Sequence, residues 1–115
     1  MSKKNRNIFS GLPAARKREA FHVLQKGKGF KIERIVSRGQ ATPEGKWLSS
    51  KADEWVIVLR GRTRLRFKDA REKLSLKAGD HAFIPAHTYH RVDWTHPRQQ
   101  TVWLTVHSTP ICGRL

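Results

Sequence analysis

A single cysteine, Cys112, leaves this 115-residue chain without an intrachain disulfide. A disulfide-stapled scaffold is therefore excluded, and a reducing cytoplasm is the expected home. No apolar run approaches the roughly 20 residues that a membrane-spanning helix needs. The opening "MSKKNRNIFS" is basic, but no apolar stretch of signal-peptide length follows it, so export is not expected. Internal repeats and low-complexity segments are also missing. Acidic residues are scarce: nine Asp+Glu stand against 24 Lys+Arg, a formal charge of +15. That imbalance favours phosphate-rich partners through counterion release and long-range attraction, and it says nothing about the fold.

The apolar content, 37%, suffices for one buried core, and the length is too short for two. The basic excess is spread along the chain. Residues 1–34 hold ten basic and two acidic residues, so the excess is more than a charged tail. Residues 1–10 are expected to be a loose basic arm. Pro13 stands where a helix opens, and "AARKREAFHVLQKG" places Ala20, Phe21 and Leu24 on one side, with Gly27 and Gly29 as stops. A short helix is expected there.

Beyond Gly29 the period falls to two. "FKIERIVS" alternates as a strand, and "EWVIVLRG" is rich in β-branched and aromatic residues. "RTRLRF", "EKLSL", "HAFIP", "HTYHRVDW" and "TVWLTVHS" follow, separated by turn signals such as "KDAR" and "KAGD". Short strands at this spacing argue for an antiparallel sandwich or barrel. Strict alternation from Glu54 would set Arg60 in the row of Val56 and Val58, so a bulge or bend is expected around Arg60–Gly61. Past it, Arg62, Arg64, Arg66 and Lys68 share one face opposite Thr63, Leu65 and Phe67.

Two segments carry a resemblance. In "EWVIVLRG", Glu54 is followed after six residues by Gly61. In "GDHAFIPAHTYHRVDW", Gly79 is followed after five residues by Pro85, then by His87 and His90. This arrangement resembles the paired motifs of the cupins, the small jelly-roll barrels also called double-stranded β-helices. The likeness runs over roughly residues 28–107 and looks like the single-domain cupins of uncharacterised function. It implies an all-β, antiparallel jelly-roll barrel over residues 28–109, preceded by the basic arm and short helix of residues 1–27 and followed by a tail, residues 110–115.

The family's metal ligands are two histidines and a glutamate from the first motif and one histidine from the second. Glu54 and His90 match. The first-motif histidine positions fall on Trp47 and Ser49, or on Leu48 and Ser50, according to the gap. His87 stands at the second motif's glycine and Trp94 at its asparagine. The resemblance thus implies a site with Glu54 and His90. His87 as third member would give the two-histidine, one-carboxylate composition that holds one divalent ion, whether Mn, Fe, Ni or Zn.

Three readings stay open. In the first, the barrel pocket of Glu54 and His90 binds a metal ion, a small molecule, or both. In the second, it is a metal-free sensor or binding module whose pocket is lined by Trp47, Trp94, Val56 and Val58. In the third, the row Arg62, Arg64, Arg66 and Lys68 meets nucleic acid, aided by Lys3, Lys4, Arg6, Arg16, Lys17 and Arg18. A homodimer paired through outer strands is expected, because pairing protects exposed sheet edges.

Overall fold

A computed structural model describes residues 6–14 and 17–110. The expectations that rest on residues 1–5, 15–16 and 111–115, including Lys3, Lys4, Arg16 and Cys112, lie outside the described residues. Eight strands follow in chain order: β1 (Ala20–Gly27), β2 (Phe30–Ser37), β3 (Asp53–Arg60), β4 (Arg62–Phe67), β5 (Lys73–Lys77), β6 (His81–Ile84), β7 (His90–Thr95) and β8 (Thr101–Ser108). They form a five-stranded sheet in the order β1-β2-β8-β3-β6 and a three-stranded sheet in the order β5-β4-β7, antiparallel throughout.

The two sheets face each other across a core of Val56, Val58, Leu65, Leu76, Ala82, Ile84 and Trp103. Each of these occupies the inward parity of its strand, where period-two alternation delivers one apolar row per strand. Burying these rows against each other is the main stabilising term, at roughly 25 cal/mol per Å² of apolar surface.

The expected N-terminal helix is not present: no described residue is helical. Residues 20–27 are instead strand β1, paired with β2 from Ala20↔Val36 to Gly27↔Phe30. Of the two glycines expected as helix stops, Gly27 ends β1 and Gly29, at φ +83°, sits in the hairpin turn Lys28–Gly29. A register shift between Val23 and Gln25 leaves Leu24 unpaired. That bulge breaks the alternation of Phe21 and Val23 and so imitates helical spacing. A strand wins because β2 offers a full ladder of backbone partners, which an isolated short helix lacks.

The arm before it is also not loose where described. Arg34 donates to the carbonyls of Ile8 (2.9 Å) and Ser10 (2.7 Å), and the Arg60 guanidinium lies 4.4 Å from the centre of the Phe9 ring.

The irregularity expected near Arg60–Gly61 is present as two separate features. Leu59 is the bulged residue, since Val58 pairs with Trp103 and Arg60 with Val102. Gly61, at φ +86°, then carries the chain from one sheet to the other rather than continuing a single strand. A Cβ at this position would lie 2.5 Å from the Gln100 carbonyl oxygen and 2.7 Å from the Thr101 Cα, so only glycine fits.

Candidate functional site

Between the sheets lies a cavity of about 390 Å³. Its floor is apolar, with Ile35, Val56, Leu65, Ile84, Val92 and Trp103. Its mouth is formed by Phe21 of β1 and by the loop that contributes Ala41, Thr42, Pro43, Leu48, Ser49 and Ser50. Between floor and mouth stand Glu33, Glu54, His90 and His107.

The strand registers explain why these four meet. Glu54 pairs with His107 across β3 and β8, and Glu33 pairs with Thr105 across β2 and β8, all at inward parity. His90 opens β7 in the opposite sheet, where a bridge to Leu48 fixes its backbone (Leu48 N to His90 O 2.7 Å, His90 N to Leu48 O 3.0 Å).

The side chains form a line across the barrel. Glu33 Oε1 lies 3.8 Å from His107 Nε2, which lies 4.0 Å from Glu54 Oε2, and Glu54 Oε1 lies 3.9 Å from His90 Nε2. These spacings bring opposite charges together when an imidazole is protonated, yet each exceeds hydrogen-bond distance. The Thr105 hydroxyl lies 3.2 Å from His107 Nε2. His90 is 7% exposed, and its Nδ1 donates to the Thr88 carbonyl at 2.9 Å. Because a carbonyl only accepts, the proton of a neutral His90 sits on Nδ1, and Nε2 presents a lone pair to the cavity.

The predicted site residues divide. Glu54 and His90 meet in the cavity as expected, and Val56 lines it, while Val58 is fully buried in the core and does not. His87 does not join them. It is exposed at a turn with φ +61°, its N–H donating to the Ser50 carbonyl at 2.7 Å. The left-handed backbone explains why glycine suits this motif position.

The metal centre of Glu54, His90 and His87 is therefore not assembled. Among the described residues no group of three His, Cys, Asp or Glu side chains is arranged to hold an ion. A catalytic transition-metal centre ordinarily needs three protein ligands, so the donor set does not fit the metal that the resemblance implies.

Trp47 and Trp94 are outside the barrel. A register shift between Arg64 and Leu65 makes Asp93 an extra residue in β7, which sets Trp94 beside Arg64 on the outer face of the small sheet. The Arg64 guanidinium lies 5.5 Å from the Trp94 ring centre, and Arg66 and Arg91 lie 5.4 and 6.0 Å from that of Trp47. Lys68 stands 5.1 Å from the Tyr89 ring. Glu44 borders the outer groove with Trp47, Arg66 and Arg91, away from the cavity. A second groove, about 400 Å³, brings together Arg62, Arg64, Ser75, Lys77, Asp80 and Trp94.

Beneath this face Asp93 takes ion pairs from Arg91 Nε (2.7 Å), Arg66 Nε (3.2 Å) and Lys73 Nζ (3.3 Å). The contact with Arg66 is an ion pair without hydrogen-bond alignment. Burial alone would raise the Asp93 pKa, yet the close contact of Lys73, the hydrogen bond of Arg91 and the charges of Arg66 and Lys73 hold it below the ordinary value.

Sequence reasoning missed Glu33 and placed His107 only at the end of the last strand, near one or other mouth of the barrel. Parity carried a signal for both, since Glu33 alternates with Ile35, and His107 with Trp103 and Thr105, on the inward rows.

Two facing antiparallel sheets around a cavity with carboxylates and imidazoles define a β-barrel of the jelly-roll kind. The chain belongs to the cupins: the Cupin domain family matches residues 35–107. It is similar to a candidate mannose-6-phosphate isomerase from Ralstonia eutropha JMP134, at 41% identity, 93% of this chain, 99% of that one and a TM-score of 0.89. A cupin superfamily protein from Desulfitobacterium hafniense DCB-2 shares the fold at 17% identity, with 86% and 84% of the two chains covered and a TM-score of 0.71. So does a conserved protein of unknown function from Streptococcus pyogenes, at 17% identity, 97% and 92% coverage and a TM-score of 0.75. No curated protein matches the chain.

Proposed function

We propose that this cupin binds a small organic molecule in its barrel and moves protons at it. The observation that carries the reading is the line Glu33–His107–Glu54–His90 above the apolar floor of the cavity. Alternating carboxylates and imidazoles set proton donors and acceptors side by side, the arrangement general acid–base chemistry uses. His90 Nε2 is the base facing the ligand, oriented by its Nδ1–H bond to Thr88, and Glu54 is the neighbouring carboxylate.

The candidate isomerase at 41% identity suggests a phosphosugar as one ligand for this barrel. Against it stands the absence of lysine and arginine among the described residues lining the cavity, for a phosphate needs such donors or backbone N–H groups. The ligand is thus proposed as a small molecule without a phosphate.

Metal content by mass spectrometry, on wild type beside His90→Ala, tests the metal-free reading. The expected result is no stoichiometric metal in either protein after incubation with Mn, Fe, Ni or Zn. About one equivalent in wild type, lost in the variant, would make the chain a metal cupin with an unusual ligand set.

A second reading rests on the outer face of the small sheet, where arginines alternate with tryptophan rings along the grooves. Alternate cations on a strand are about 6.5–7 Å apart, twice the 3.4 Å rise per nucleotide of a stacked strand. The accompanying rings suit single-stranded nucleic acid. Steep salt dependence of binding to a labelled oligothymidine, weakened by Arg62→Glu with Arg64→Glu, supports it. Binding unchanged by those reversals removes it.

A second copy of this chain is the proposed partner for the outer face of the large sheet. There the edge strand β6 presents Phe83, 48% exposed, and Trp55 lies 5.6 Å from His81. Sedimentation should show a dimer that Phe83→Asp dissociates. A monomer in wild type would refute the pairing.

A further inference from the structure

Most of the chain is strongly basic, but the cavity is not. Three of the nine carboxylates in the sequence, Glu19, Glu33 and Glu54, line it, and no lysine or arginine of the described residues does. With the carboxylates ionised, the formal charge of the lining runs from −3, both histidines neutral, to −1, both protonated. It is never positive. A partly sheltered negative lining in a chain of +15 sets a selection rule for what enters, because a charge leaving water must meet its opposite.

The hydrogen-bond inventory sharpens that rule. His90 Nε2, on a side chain nine-tenths buried, has no hydrogen-bond partner among the described residues, its nearest charged neighbour being Glu54 Oε1 at 3.9 Å. Nδ1 is committed as a donor to Thr88, so in the neutral imidazole Nε2 accepts. Glu54 Oε1 accepts as well. Two acceptors 3.9 Å apart leave room for one atom about 2.9 Å from each, and that atom must bring at least two N–H or O–H donors. A hydroxyl brings one. An ammonium brings three, together with the charge that the carboxylates lack. Val56, Ile84, Val92 and Trp103 offer the rest of the roughly 390 Å³ to an apolar body.

We infer that the barrel ligand is an organic cation: a primary amine on an apolar skeleton, its ammonium held between His90 Nε2 and the Glu54 carboxylate, with Glu33 supplying further negative charge. This rests on the reading that the barrel binds a small molecule. The organic cation is preferred over a metal ion because no three ligating side chains converge among the described residues.

The test uses the full chain after chelator treatment, near neutral pH. It measures calorimetric binding of a panel of primary alkyl- and arylalkyl-amines, with the alcohol and the carboxylate of each skeleton, and of mannose 6-phosphate. At least one amine is expected to bind about ten-fold tighter than its alcohol, and its carboxylate not to bind. Glu54→Gln and Glu33→Gln, isosteric and checked for folding by circular dichroism, are each expected to narrow the gap between amine and alcohol. An alcohol, carboxylate or phosphosugar binding as tightly as any amine would overturn the cation and leave the small-molecule reading standing. Binding that appears only after zinc or manganese is restored would also overturn it, in favour of a metal. If no member of the panel binds, both readings fall.

Discussion

The inside of the barrel and the outside of its smaller sheet are built from neighbouring residues of the same strands, yet they differ in charge and in what holds them. On β4, Leu65 is 2% exposed and packs in the core, while Arg64 and Arg66 lie on the outer face against tryptophan rings. The interior is held by apolar packing, and its polar line of Glu33, His107, Glu54 and His90 is spaced beyond hydrogen-bond reach. The exterior is held by ion pairs converging on one buried carboxylate, Asp93. Polar groups locked in ion pairs with one another serve structure, as at Asp93. Those left facing a cavity without close partners are available to a ligand, as at His90.

Three comparisons test that contrast, from the largest expected effect to the smallest. Leu65→Ala should lower unfolding free energy by about 3 kcal/mol through lost burial and a residual cavity, whereas Arg64→Ala, next to it and facing out, should cost no more than about 0.5 kcal/mol. Urea denaturation of the two variants measures both, and equal losses would erase the distinction between the faces.

Asp93→Ala should cost about 2 kcal/mol. That is less than a fully buried pair because Arg66 and Lys73 are partly solvated, and more than a surface pair because Arg91 is buried. Since the Asp93 pKa is depressed in the folded state, its contribution is present above the unfolded value of about 3.9 and disappears as pH falls through the lower folded value. The stability gap between wild type and Asp93→Asn should therefore close below about pH 4. A gap that persists at low pH would place the role of Asp93 in packing rather than charge.

The smallest effect is expected at His87→Gly, which relieves a left-handed backbone and should change stability by less than about 1 kcal/mol. Ligand affinity should not move. A loss of affinity would draw His87 into the site after all.

Much of this was legible in the sequence. The bounds of β2, β4 and β8 follow the alternating runs, because period-two burial leaves a direct trace. The partnership of Glu54 and His90 followed from motif spacing, which fixes them at the starts of facing strands. What escaped depended on contacts distant in the chain. Trp94 turns outward because of the bulge at Asp93, and Trp47 follows a loop whose path is set by pairing with β7. The β1 strand was hidden by its own bulge at Leu24. Glu33 on β2 and His107 on β8 had the right parity, but both rows of each strand mix apolar and polar residues, so parity alone does not say which row faces in.

The separation of charge between shell and cavity also bears on rates. An ammonium approaching a body of +15 climbs a repulsive field before it reaches the carboxylates inside. Raising the ionic strength shortens the reach of that field to a few ångströms and hastens arrival, while it weakens attraction within the partly sheltered cavity far less. For such a ligand, salt becomes an accelerator of capture, and the slow step in dilute buffer is the approach rather than the embrace.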